Sequence, residues 1–133
     1  MRAGDKQIKQ WWSRMDFDKA MAAHADWKVK LRVALQNGDT LDAARICSDK
    51  TCDLGRWLHG EARTRWSGNA NYLNCVETHR QFHECAGKVA ETINRKDFAT
   101  AEKLLGIGSP FSDASSNVAV AVRRMKREAE VLA

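Results

Sequence analysis

Apolar residues recur every three to four positions along most of this chain, and no segment sustains the two-residue alternation of a strand. The run "FDKAMAAHADWKVKLRVALQN" predicts a helix from Phe17 to Asn37, with Asp16 placed to cap its first turn and Gly38 to end it. Its stripe is Phe17, Ala20, Met21, Leu31 and Leu35. Val33 falls off the stripe, His24 and Lys28 fall inside it, and Trp27 lies at its edge. Asp39 or Thr40 then caps a shorter helix, "LDAARICSD". "CDLGRWLHGEARTRW" reads as a short helical turn starting near Cys52, followed by irregular chain through Gly60 and Gly68. Asn69 opens a long helix running to about Arg95, with Tyr72, Cys75, Val76, His79, Phe82, His83, Ala86, Val89, Ala90 and Ile93 on one side. "KDFATAEKLLGIGSP" gives a fourth helix stopped by Gly106, Gly108 and Pro110, and "GIGSPFSDASS" reads as a connecting loop. Ser112 or Asp113 caps a last helix with Val118, Ala121, Val122, Met125 and Leu132 on one face. "DKQIKQWW" forms a separate short helix in this reading. Its adjacent Trp11 and Trp12 cannot share a face, so one is expected to meet a partner chain. The expected fold is all-α: an antiparallel helical bundle of four main helices plus a short N-terminal helix, in one domain over residues 1–133.

With 133 residues and 44% hydrophobic content, the chain can build a core without disulfides. No apolar run reaches the length of a membrane span, and the N-terminus lacks the apolar block of a signal peptide. These features predict a cytoplasmic protein without membrane insertion. In a reducing compartment, four cysteines point to free thiols or metal ligands before disulfides. A Cys47–Cys52 disulfide under oxidation would need unusual local geometry. The net charge of +5 is spread along helices, and the one local cluster, "RRMKRE", reads as a solvated helix face. Nucleic acid is therefore not an expected partner. Neither G-x-x-x-x-G-K-[ST] nor G-x-G-x-x-G occurs.

The chemistry gathers on the helix faces. His79 and His83 lie one turn apart on the apolar side of the long helix, where two imidazoles can share one ion. Two core histidines, each bonded to a neighbouring side chain, are an equally good reading of that pair alone. His24, inward on another helix, shifts the balance. Burying three imidazoles is costly unless each is satisfied, and a metal satisfies three at once. Cys52, near a helix start that favours the thiolate, can supply a fourth ligand. Three neutral histidines and one thiolate make a closed tetrahedral site suited to Zn²⁺.

The segments "HADW" (24–27), "CDLGRW" (52–57) and "HRQFH" (79–83) resemble the signature motifs of the chemoreceptor zinc-binding domain family, over nearly the whole chain from about Phe17. Bacterial members are helical bundles, often dimeric, usually fused to chemoreceptor signalling domains or diguanylate cyclases. The resemblance implies zinc held by His24, Cys52, His79 and His83, with Trp27, Gly55, Trp57 and Phe82 as framework. It also implies a homodimer and an output through chemotaxis or cyclic-di-GMP signalling. Neither a cyclase nor a long receptor coiled coil occurs in this sequence, so the expectation is a fragment of a larger receptor or a stand-alone sensor.

Other residues are weighed against that set. His59 is a surface loop histidine in this reading and the first substitute ligand. Cys75 is a small buried hydrophobe beside the site. Asp26 and Asp53 adjoin ligands and either accept the second imidazole N–H or face solvent; with Trp27 and Trp57 they are the candidates for the residues surrounding the site. H-E-x-x-H is absent, as are the E-x-x-H pairs of di-iron bundles. Four protein ligands leave no open position, which argues against an enzyme. The expected function is a sensor whose Zn–thiolate responds to zinc level or to an oxidant such as hypochlorous acid, with Cys52 as the redox-sensing residue. The alternatives are a structural zinc-stabilised dimerisation module and, behind it, a zinc hydrolase.

Overall fold

A computed structural model describes residues 15–132, with side chains through residue 131. The short N-terminal helix with Trp11 and Trp12, and the Leu132 side chain, lie outside the described residues. Among the described residues there is no strand. The helices are α1 (Phe17–Asn37), α2 (Ala43–Cys47), α3 (Asp53–His59), α4 (Glu61–Trp66), α5 (Ala70–Asn94), α6 (Phe98–Leu104) and α7 (Pro110–Leu132).

They form an up-down-up-down bundle whose second leg is broken into α2, α3 and α4. Cross-links along α5 fix the direction of that leg. The Asn94 amide and the Leu41 backbone exchange two hydrogen bonds of 2.8 Å at the top. His83 Nδ1 donates to the Ile46 carbonyl at 2.8 Å, and at the bottom Tyr72 Oη donates to the Leu58 carbonyl at 2.6 Å. The leg therefore descends as α5 ascends. α1 rises beside α5, and Lys96 Nζ donates to Gly38 O at 2.9 Å where both helices end. α7 descends, with Lys126 Nζ 3.0 Å from Asp18 at the start of α1 and Glu128 bonded to Asn69 at the start of α5.

The first long helix keeps its expected limits. The Asp16 carboxylate accepts from Lys19 N, and Gly38 ends the helix at φ 67°, a conformation that suits glycine. The stripe differs at one position, since Lys28 is exposed. Ala34 is also buried, which swings the centre of the stripe towards Trp27 and leaves the ammonium at its margin, in water.

Three boundaries depart from the sequence reading. α2 starts at Ala43 rather than after Asp39 or Thr40, because the Asp42 carboxylate takes Arg45 N while Asn94 occupies the Leu41 backbone. α4 replaces the irregular chain expected after Gly60. That glycine is a junction between two short helices, and Ala62 and Trp66 give the second one a buried side. Finally, α7 starts at Pro110 instead of after the loop it was expected to close. Proline fits the first helical position, and the Ser109 hydroxyl accepts from Ser112 N at 3.1 Å as the cap.

The α2–α5 contact depends on Gly87. A Cβ there would sit 2.6 Å from Cys47 Cβ and 2.9 Å from Cys47 Cα. Replacing Gly87 by alanine is expected to push α2 outward and cost about 1–3 kcal/mol of stability in a urea titration.

Candidate metal centre

The break between α2 and α3 delivers the cysteine. Cys52 is the N-cap of α3, with extended backbone at φ −84° and ψ 164°, and its Sγ accepts from Gly55 N at 3.3 Å. The loop can lie this close only because residue 55 has no side chain: a Cβ there would stand 1.9 Å from Asp49 O. The other three groups sit on long helices. His24 is one turn below Trp27 on the buried side of α1, and His79 and His83 lie one turn apart on α5. All three imidazoles are buried, His79 completely at 0% exposure, while Cys52 is partly open to solvent.

The donor atoms converge. His79 Nε2 lies 3.1 Å from both His24 Nε2 and His83 Nε2. Cys52 Sγ is 3.2 Å from His79 Nε2, 3.6 Å from His83 Nε2 and 3.8 Å from His24 Nε2. One donor atom from each residue lies within 4.8 Å of all the others. A tetrahedral Zn²⁺ with three nitrogens and one sulfur has N···N edges of about 3.3 Å and N···S edges of about 3.6 Å. The observed N···S separations bracket the second value, and the two N···N separations of 3.1 Å lie just under the first.

Hydrogen bonding fixes what these atoms present. His24 Nδ1 donates to the Ala20 carbonyl at 2.7 Å, and His83 Nδ1 donates to the Ile46 carbonyl. A carbonyl only accepts, so each ring carries its proton on Nδ1 and turns a bare Nε2 lone pair inward. Burial lowers all three histidines below their ordinary value, so the rings are neutral near pH 7. His24 and His83 therefore turn lone pairs towards His79 Nε2, where either a proton on that nitrogen or a cation between the rings satisfies them. The donor set and its spacing fit Zn²⁺.

The outer partners are backbone groups that sequence cannot announce. Asp26 and Asp53 are not among them: their side chains are 58% and 73% exposed, paired with Lys30 and Arg56. They take the solvent-facing alternative. Trp57 is buried edge-on to Phe17 at 5.2 Å and tilted on Trp66 at 5.6 Å, bracing α3. Trp27 packs on the core edge beside Cys52. Phe82 stands edge-on to His24 and His83, at 5.2 and 5.5 Å between ring centres. His59 stays outside the cluster and bonds Asp49 at 3.2 Å, tying the end of α3 to the loop before Cys52. That clasp, at ten-residue spacing, carries no sequence signal. Cys75 is fully buried, as expected of a small hydrophobe, and burial pushes its thiol up to about 12.

The expectation for Cys52 itself needs correction. Burial raises its thiol above the ordinary value, outweighing the pull of the Gly55 and Leu54 N–H groups at the helix start. The helix start alone does not make Cys52 a thiolate; a bound metal cation is what would.

The same burial sets an acid response for the metal-free chain. Burial, then His83 and His24, hold His79 down to about 2 from 6.5. As pH falls below 6.5 the unfolded chain takes up protons first. Stability is therefore full above that value and is lost as pH drops from 6.5 towards about 2. Urea midpoints of metal-free protein are expected to fall steadily from about pH 7 to about pH 5.

An all-α bundle that closes three imidazoles and a thiol around one point defines a zinc-binding helical domain. The chain belongs to the chemoreceptor zinc-binding domain family, which matches residues 24–90, half of its length. Comparison with curated proteins and with solved structures finds no match. No helix among the described residues is long and apolar enough to cross a membrane.

Proposed function

We propose that His24, Cys52, His79 and His83 together hold one Zn²⁺, and that this centre is a sensor with Cys52 as its responsive ligand. The observation that carries this reading is the asymmetry of the cluster. The three histidines are buried on long helices, whereas the cysteine sits partly open on a break in the bundle. Zinc, when bound, would hold the cysteine as thiolate and tie α1, the broken leg and α5 together. Four protein donors leave no position for a substrate water, so the centre regulates and does not catalyse.

The input is an oxidant of the hypochlorous acid type. In net terms the Cys52 thiolate takes the oxygen: an S–O bond forms, the O–Cl bond breaks and chloride leaves, giving a sulfenic acid. Sulfur loses two electrons and the oxidant gains them. A sulfenic acid is a poor ligand, so the loop between α2 and α3 is released from the histidines. The broken leg then repacks against α5, and the change passes through the terminal helices to a chemotaxis or diguanylate cyclase module, fused or in trans, most simply in a homodimer in the cytoplasm. A zinc-level sensor would use the same centre with occupancy as its input. A purely structural zinc module is the competing reading, and it would keep the thiol unreactive.

Metal content by mass spectrometry, wild type beside Cys52→Ala, before and after a small molar excess of hypochlorous acid, tests this reading. One zinc per chain, released by the oxidant and weakly held in the variant, is the expected result. Zinc retained after oxidation would end the oxidant reading.

A further inference from the structure

Two cavities flank the open side of Cys52. One, of about 510 Å³, is walled by Leu41 and Ile46 and reaches His83; the other, of about 650 Å³, runs past His24 to Leu54. Both share Trp27, Lys30, Arg45, Thr51 and Cys52. Closing four donors around zinc uses neither space, and hypochlorous acid needs only a small part of either. Their volumes are those of sites for organic ligands.

Their chemistry narrows the ligand. The shared wall offers an indole face with Lys30 Nζ 4.9 Å from its centre; that ammonium is shared with Asp26 at 4.0 Å, which leaves Arg45 as the stronger anchor for an anion. Among the described residues the Arg45 guanidinium has no carboxylate partner. The nearby Asp42 carboxylate is engaged as the cap of α2. An aromatic or aliphatic body bearing a carboxylate matches this wall. Cys47, Cys75 and Cys85 line neither cavity, so a second sulfur that meets Cys52 there comes from solution.

We propose that the paired cavities bind a small organic disulfide bearing a carboxylate, held by Arg45 and Lys30 against Trp27, and that Cys52 exchanges with it. The Cys52 sulfur, which bound zinc would hold as thiolate, attacks one sulfur of the ligand. A new S–S bond forms, the ligand's own S–S bond breaks, and the other half leaves as a thiolate with the electron pair. A free thiol of the same kind reverses the step. This rests on reading Cys52 as the reactive ligand, and it extends that reading from inorganic oxidants to organic disulfides.

The test compares two aromatic disulfides on the full chain: dithiobis(nitrobenzoate), with a carboxylate on each ring, and uncharged dithiodipyridine. Peptide mapping after acid quench reads Cys52 alone, and the urea-unfolded chain gives the intrinsic rate ratio. In the folded protein the anionic reagent is expected to be favoured over that ratio. Arg45→Glu should slow it about tenfold and leave dithiodipyridine unchanged, and Arg45→Lys should keep most of the wild-type rate. Circular dichroism reports whether each variant is folded. The proposal is overturned by a folded-state ratio equal to the unfolded one, or by Arg45→Glu slowing both reagents alike. Zinc content read alongside separates the two claims. Anion-selective exchange with zinc retained keeps this inference and ends the sensor reading. Zinc released by hypochlorous acid without anion selectivity does the reverse.

Discussion

Replacing His79 by leucine is expected to abolish zinc binding while stabilising the metal-free fold. Its Nε2 stands within 3.1–3.2 Å of the other three donor atoms, so no second residue can take its place. Loss of the central donor should weaken zinc at least about a hundredfold, the upper end of what loss of a mere outer partner costs. Without metal the same imidazole is a liability. It is fully buried, its Nδ1 has no hydrogen-bond partner, and its Nε2 faces two other nitrogens. Leucine has similar bulk and nothing to satisfy, so metal-free His79→Leu should gain about 1–2 kcal/mol over metal-free wild type. Urea titration with and without zinc reads both effects. Wild type should be the more stable with zinc and the less stable without it. The variant being less stable in both conditions would show that His79 is held by packing rather than by a metal.

Gly55→Ala is expected to damage the centre without touching a donor. The added Cβ would lie 1.9 Å from Asp49 O and 2.8 Å from Asp49 C, both backbone atoms. Either the loop before Cys52 lifts or α3 shifts, and each moves Sγ away from the histidines. Loop strain of this kind costs about 3 kcal/mol, the upper end for overpacking. The stability loss should be larger with zinc than without, because the displaced thiol weakens the metal as well. Calorimetry of both forms checks this. An equal loss in both would mean that the Asp49–Gly55 contact shapes the fold alone.

The helix faces were legible because burial and chemistry coincide on them. His24, His79 and His83 stand out as polar residues on apolar stripes, and those stripes also place α1 and α5 correctly. Cys52 was legible as a donor opposite them, though its environment was not. Whether the helix start or burial controls a thiol depends on what the bundle packs over it, and here burial prevails. The broken leg was harder to read. α2, α3 and α4 are too short for periodicity to define, and their limits come from side-chain bonds such as Asp42 to Arg45 N and Asn94 to Leu41. The imidazole partners were invisible for a related reason. Ala20 and Ile46 act through their carbonyls, and side-chain identity carries no trace of that. Pro110 misled because proline both follows one helix and opens the next, and only the Ser109 cap decides between them.

X-ray absorption at the zinc edge of the purified, zinc-loaded protein tests the four-donor centre most directly. Three nitrogen scatterers at about 2.0–2.1 Å and one sulfur at about 2.3 Å are predicted, with the sulfur absent in Cys52→Ala. A first shell without sulfur in the wild type, or one unchanged by Cys52→Ala, would contradict it.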